Sequence, residues 1–363
     1  MRLRTSVPFT LIVALALSRA WAQEASDVVA ETYIEPKPLD RPPPTFPKSV
    51  QNEGKEGWVM VSYVVSPSGD IVEPMIEDSS GIEALERSAL DAVRKWRYSP
   101  ALRNGTAIEQ SMTKTRIVFA LEGARGGVTA EFQKKYRDVL AQIKVSDFQK
   151  AAALLQEIEF GGRANLSEDA WFWWLKFSYL NAAKSVDRTQ RLQALRMAVG
   201  YEEDYLPPDL FVTAAQQLYA AEVEAKDLSG ARQTFVRLRD SKAARQSKYY
   251  EQVMAGLKPH YELTEQAING NTLLVSPAEI SRHEYWVHDL LRRRFSMAQV
   301  QGRIDVVDVR CKRGTKRYDS FPQDGVWTIP ASWGDCGVYI KGEPGTTFVF
   351  QEHPLNPVAT EAK

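Results

Sequence analysis

The run His283-Glu284-Tyr285-Trp286-Val287-His288 sets two imidazoles around a carboxylate, the residue types of a zinc-protease helix. That chemistry needs His at i and i+4. A spacing of five on a helix turns the second ring about 140° from the first, so both cannot grip one metal. Ser111-Met112-Thr113-Lys114 has the Ser-x-x-Lys order of an activated serine, which works where i and i+3 are helical neighbours. The segment Gln110 to Leu121 alternates like a strand instead, which parts the two side chains. Glu202-Glu203-Asp204, just before Pro207-Pro208, reads as a solvated turn. No Gly-x-Ser-x-Gly elbow and no phosphate-binding glycine loop occurs. Nothing assembles nucleophile, base and orienting group, so the chain reads as a non-enzyme with no cofactor and no metal site.

Composition narrows the class. Hydrophobic residues at 44% and charged residues at 25% exclude wholesale disorder and a multi-span membrane protein. The length of 363 residues implies two or three domains, at roughly 150 residues each. Lys and Arg (46) balance Asp and Glu (46), so no net field draws the protein to nucleic acid, and none is expected as a partner. Arg2 and Arg4 precede the apolar run Val7 to Leu17, and Ala20-Trp21-Ala22 supplies an A-x-A processing site. Residues 1–22 therefore read as an export signal cleaved after Ala22, with a retained anchor as the alternative. The uncharged stretch Thr5 to Ser18 is shorter than the roughly 17–25 residues of a spanning helix. In an oxidising compartment Cys311 and Cys336 can pair, closing a loop worth roughly 3–4 kcal/mol in the chain-entropy model. The densest basic feature joins Arg292-Arg293-Arg294 to Arg310, Lys312, Arg313, Lys316 and Arg317. It reads as a solvated face partly neutralised by Asp305, Asp308 and Asp319, with an anionic envelope surface as the alternative.

The chain divides by pattern into an α+β multidomain protein. Residues 23–41 lack apolar periodicity and form a short linker, and Pro42-Pro43-Pro44-Thr45-Phe46-Pro47 enforces extended backbone. Within 42–122, Gly57 to Val65 and Ile71 to Glu77 read as a hairpin around Ser66-Pro67-Ser68-Gly69-Asp70. Leu85, Ala89, Val93 and Trp96 place a helix of about 15 residues before Pro100, and Gln110 to Leu121 is the last strand. The order is ββαβ. Residues 128–266 carry helical spacing throughout, and Asp147, Asp187 and Asp227 each open a helix at a repeat of 40 residues. Stacked helical hairpins of tetratricopeptide type explain it, an irregular bundle being the alternative; Trp171, Phe172, Trp173, Trp174 and Phe177 then pack between pairs. Residues 271–353 form a small β-rich domain holding Cys311 and Cys336, with a helix over Ser276 to Phe295 ahead of its strands.

Six short motifs stand in one order within the first block: Pro44-Thr45-Phe46-Pro47, Glu56-Gly57-Trp58-Val59, Ser68-Gly69-Asp70, Ser79-Ser80-Gly81, Lys95-Trp96-Arg97-Tyr98-Ser99-Pro100 and Ile117-Val118-Phe119-Ala120-Leu121. In this the segment Pro42 to Leu121 resembles the C-terminal domain of the TonB energy-transducer family, with Phe46 where the family usually has Tyr. The remaining blocks suggest no family. The resemblance implies a structural frame of Pro44, Phe46, Pro47, Gly57, Gly69, Ser80, Gly81, Trp96, Pro100 and Phe119. It also implies a physical activity: an extended segment of an outer-membrane receptor adds to a free sheet edge as an extra strand. The last strand, Ser111 to Leu121, is the expected edge, with Ser111, Thr113, Lys114, Thr115, Arg116 and Ile117 as partner-binding residues. Lys114 and Arg116 would guard its exposed face against aggregation.

Family members carry an uncleaved N-terminal helix that engages an inner-membrane motor, then a long Pro-rich spacer. Here Gln23 to Arg41 spans at most about 65 Å. The expectation is therefore a periplasmic module that binds an outer-membrane receptor or another envelope protein and contributes to transport across the envelope. The alternatives are a helical-repeat scaffold, or a full transducer on the periplasmic side of the inner membrane that meets motor proteins through a retained anchor.

Overall fold

The computed structural model describes residues 31–121, 127–161, 163, 165–201, 205–322 and 325–354. The export signal, its Ala22 site, residues 23–30 and the turn Glu202-Glu203-Asp204 lie outside them. The rest of the expected linker is no tether. It holds two strands, β1 (Tyr33–Ile34) and β2 (Lys37–Asp40), because proline-punctuated extended backbone is already shaped for a sheet edge.

A short helix, α1 (Lys48–Asn52), leads into β3 (Gly57–Val65) and β4 (Ile71–Ser79), paired antiparallel. Gly69 turns the hairpin at φ 85, and any side chain there would meet the Tyr98 carbonyl. Next, α2 (Glu83–Val93) buries Leu85, Ala89, Ala92 and Val93 on one stripe. It is shorter than expected: Trp96 leaves the helix, and its Nε1 donates to the Pro42 carbonyl at 3.0 Å. Three short strands follow, β5 (Arg97–Ser99), β6 (Ala101–Arg103) and β7 (Thr106–Ile108), then the long β8 (Gln110–Phe119). The main sheet runs β4-β3-β8 with α2 over one face, the expected ββαβ arrangement. The N-terminal strands pair elsewhere, β1 on β6 and β2 on β5.

Helices occupy the centre: α3 (Ala130–Lys144), α4 (Phe148–Gly161), α5 (Leu166–Ala182), α6 (Arg188–Gly200), α7 (Pro208–Glu224), α8 (Leu228–Asp240) and α9 (Tyr250–Asn269). Each packs on the next. At the turns into α4, α6 and α8, the carboxylates of Asp147, Asp187 and Asp227 accept the N–H groups of Lys150, Gln190 and Gly230 at 2.9–3.1 Å. The residues that close the preceding helices, Ser146, Lys184 and Lys226, all have positive φ. Helix α5 lies between two apolar clusters, which both receive its Trp171, Trp173 and Trp174.

From Leu274 the chain is β-rich, and no helix forms over Ser276 to Phe295. In its place stand β9 (Leu274–Glu279), β10 (Tyr285–Asp289) and β11 (Arg294–Gln301). Helical spacing lost to long-range pairing: Pro277 offers no N–H for a helix interior, whereas β9 finds a full register on a later strand. After β12 (Ile304–Cys311), β13 (Gly314–Tyr318) and β14 (Trp327–Thr328) come β15 (Cys336–Gly342) and β16 (Thr347–Glu352). They form two antiparallel four-stranded sheets, β10-β15-β12-β13 and β14-β11-β16-β9, around one core of Phe295, Phe350, Val307, Val309, Val338 and Ile340. Cys311 and Cys336 face each other across β12 and β15 and are joined by a disulfide. His288, on β10, bonds Glu352 at 2.9 Å, while His283 sits in the turn before that strand.

Local geometry sets two measurable expectations. Gly69→Ala is expected to cost about 2 kcal/mol or more in urea unfolding, because positive φ and a backbone clash add together. Gly54, at φ 65 in open space, is the control. Gly54→Ala should cost only about 1 kcal/mol, and equal losses at the two sites would refute the clash. The second concerns Glu222, 3% exposed on α7, which accepts from Thr234 Oγ1 at 2.7 Å. Burial pushes its carboxyl up to about 7 against the pull of Arg196. The folded chain therefore holds this proton more tightly than the unfolded one, and stability falls as pH rises from the ordinary carboxylate range to about 7. Glu222→Gln should remove that slope and raise stability at pH 8 by about 2 kcal/mol; an unchanged slope would refute the assignment.

Candidate strand-docking edge

The main sheet has two terminal strands, and local chemistry distinguishes them. At β4, Pro74 lacks an N–H and Glu73, at φ 47, sits where the register slips. A bulged, proline-bearing edge is a poor template for another strand. No such feature interrupts β8 between Thr113 and Phe119.

The direction of the β8 backbone follows from Trp58. Its N–H donates to Ser80 Oγ at 3.1 Å and its carbonyl accepts the Ser80 N–H at 2.9 Å, so Trp58 turns its backbone toward β4. Alternation then turns Val59 and Val61 toward β8, where they stand opposite Ile117 and Thr115. Thr113, Thr115 and Ile117 thus direct their backbone groups into the ladder, and Lys114, Arg116 and Val118 direct theirs to the outer edge. Among the expected partner-binding residues, Thr115 is therefore a ladder residue. Its side chain also points inward, bonding Tyr63 at 3.0 Å, and Tyr63 in turn bonds Tyr98 at 2.7 Å. Burial pushes the Tyr63 hydroxyl well above the usual tyrosine range. Ile117 and Phe119 lie in the core under α2, Ser111 is fully buried, and Thr113 Oγ1 donates to Gln110 at 2.6 Å.

Lys114 is exposed and Arg116 half-buried, and both are engaged by other regions of the chain. Lys114 Nζ lies 3.0 Å from Glu77 and 3.3 Å from Asp289. Burial works against its charge, yet the two carboxylates hold the ammonium above the usual lysine range. Arg116 lies over the Trp58 ring at 4.2 Å and donates to the Gly200 carbonyl. Trp58, 2% exposed, belongs to the core of the helical region and meets Tyr201 edge-on at 5.7 Å. Glu56 extends the junction by accepting the Leu166 N–H at the start of α5. Asp289 joins all three regions, since it also accepts Gln233 Nε2 at 2.9 Å and its carbonyl accepts Ser229 Oγ at 3.0 Å.

The frame residues have equally concrete duties. A side chain at Gly57 would collide with Ser80 and Leu85, Gly81 has φ 84, and Phe46 meets Phe119 edge-on at 5.7 Å. Pro47 precedes α1, Pro44 lies in the extended lead, and Pro100 separates β5 from β6. Residues 42–121, whose six ordered motifs are seated in a ββαβ unit, match the family described as Gram-negative bacterial TonB protein C-terminal. This segment is a TonB C-terminal domain. The TonB of Vibrio cholerae is 34% identical over 80 residues, 22% of this chain and 32% of that protein. The tonB2 protein of Pseudomonas aeruginosa is 36% identical over 83 residues, 23% of this chain and 30% of that protein. A solution structure of the Pseudomonas aeruginosa TonB C-terminal domain is 28% identical, covering 25% of this chain and 90% of that one at a TM-score of 0.23. The match thus spans about a third of these curated relatives' length. The matched family is one of energy transducers and binding proteins rather than enzymes.

Sequence reading missed β1, β2 and the β6–β7 hairpin. One signal was available: Asn104-Gly105, with φ 50 and 77, is the two-residue turn that joins β6 to β7. No local signal marks Asp289, whose role rests on contacts far along the chain. Because Lys114 and Asp289 are each about a third exposed, a double-mutant cycle of Lys114→Met and Asp289→Asn is expected to show coupling on the order of 1 kcal/mol. Additive losses in thermal unfolding would show that the pair contributes nothing.

Proposed function

We propose that residues 42–122 are a periplasmic binding module that takes an extended segment of an outer-membrane receptor as an added strand on β8, contributing to transport across the envelope. The observation that supports this most is the contrast between edges: β4 is blunted by Pro74 and the Glu73 bulge, while Lys114 and Val118 turn backbone groups outward from the terminal strand β8. Main-chain hydrogen bonds would supply affinity, and the side chains flanking the edge the choice of partner. The proposal includes export with cleavage after Ala22, and two further units: helical hairpins over 128–266 and a disulfide-bonded β-sandwich over 271–353. Among the described residues no helix is long and apolar enough to cross a membrane.

Val118 is 43% exposed and its backbone faces outward, so Val118→Pro removes an outer donor without touching the β3 ladder. Photo-crosslinking from Ala120 in the intact cell envelope, with adducts identified by mass spectrometry, is expected to yield an outer-membrane receptor segment. Val118→Pro should lower the yield at least tenfold with the melting temperature preserved. An unchanged adduct in that variant would rule out strand addition at β8. Adducts that persist after deletion of 42–121, captured from the helical region, would favour a scaffold.

A further inference from the structure

The outer face of the β4-β3-β8 sheet is covered in two chemically different ways. At the Trp58 end the contact is built on apolar burial: Trp58 enters the helical core and Met60 packs against it, with the Arg116 guanidinium lying over the ring and donating to the Gly200 carbonyl. At the other end the contact with the sandwich is almost wholly polar. Glu73 bonds Arg310 and lies 3.1 Å from Arg317; Tyr339 donates to Glu77 at 3.0 Å; and Arg282 reaches the buried Glu86 at the first turn of α2. The polarity is consistent, with carboxylates from the TonB domain and guanidinium groups from the sandwich, Lys114–Asp289 being the reversed pair. A cleft of about 390 Å³ remains open in this seam, between Met75 and Leu90 on one side and His283 and Tyr285 on the other.

We propose that the sandwich is a releasable clamp on the TonB domain, which pivots on the Trp58 anchor while its carboxylate row leaves the guanidinium row. An apolar joint and an ionic joint respond to different agents. Removal of the Trp58 ring and Met60 from water does not depend on charge, whereas each ion pair of the seam is undone by a competing charge or by loss of one partner. Arg310 and Glu86 are almost fully buried, so moderate salt screens them poorly and release calls for a competitor rather than ionic strength. Strands β12 and β13 lie against β8, and Thr315 Oγ1 donates to Glu109 just before it. Opening the clamp would therefore widen the approach to the start of that strand. The clamp does not depend on β8 accepting a partner.

Arg282 and Arg317 are each about half exposed, so both can be reversed without emptying the sandwich core. Spin labels at Arg87 on α2 and Lys316 on β13 read the seam by electron double resonance, and a pair at Lys316 and Val300 reads the sandwich alone. In the native chain the seam distance is expected to be single and short. In Arg282→Glu/Arg317→Glu it should lengthen and broaden, with the open fraction rising on the order of tenfold and the within-sandwich distance unchanged. Arg282→Gln/Arg317→Gln should fall between. An unchanged seam distance in the charge-reversed protein would overturn the clamp and make the two regions one rigid body. A change in both distances would mean that the sandwich itself had unfolded, which also counts against a clamp.

Discussion

A three-stranded sheet with one helix laid across it has a second face, and the rest of this chain is arranged around covering that face. Strand β3 is buried along nearly its whole length, which an antiparallel sheet with one wet side would not require. Trp58 sets the terms. Once its ring enters the helical core, Arg116 must lie against it and Gly200 must stand where that guanidinium can donate. The sandwich then has to meet what remains of the sheet, a surface rich in carboxylates. Each later region is thus constrained by the chemistry of a surface laid down before it.

The ββαβ unit was legible because its signals are local. Gly69 is demanded by a turn, Gly57 by Ser80 and Leu85 a hairpin away, and the stripe Leu85, Ala89, Val93 by the sheet beneath. Asp147, Asp187 and Asp227 were legible for the same reason, since each cap bonds an N–H three residues on. The pairing of Cys311 with Cys336 was legible from two cysteines read together with an expected export signal.

What was not legible lies in contacts between distant residues. The basic cluster reads as a solvated face because a sequence does not show what approaches it. In the structure Arg310 and Arg317 pair with the expected Asp308 and Asp319 and also meet the distant Glu73, Arg313 lies over Tyr33, and Arg292 is buried. Arg292 donates to the carbonyls of Ala267, Ile268 and Gly270, receiving the C-terminal end of α9. The same ignorance of partners made β9 and β10 look helical and β1 and β2 look like a linker. The backbone of Thr115 could be placed only after the hydrogen bonds of Trp58 fixed the phase of the whole sheet. In the candidate site, then, the strand was legible and its orientation was not.

The seam between Glu73 and Arg310 joins residues 237 apart in sequence, and that between Glu77 and Tyr339 joins residues 262 apart. A chain delivered from its N-terminus completes the sheet long before its covers arrive. During that interval Trp58 and its neighbours form a greasy, half-finished surface that other nascent chains can stick to. The order of synthesis thus leaves one face of one sheet bare until helices α5 and α6, and then the sandwich, close over it.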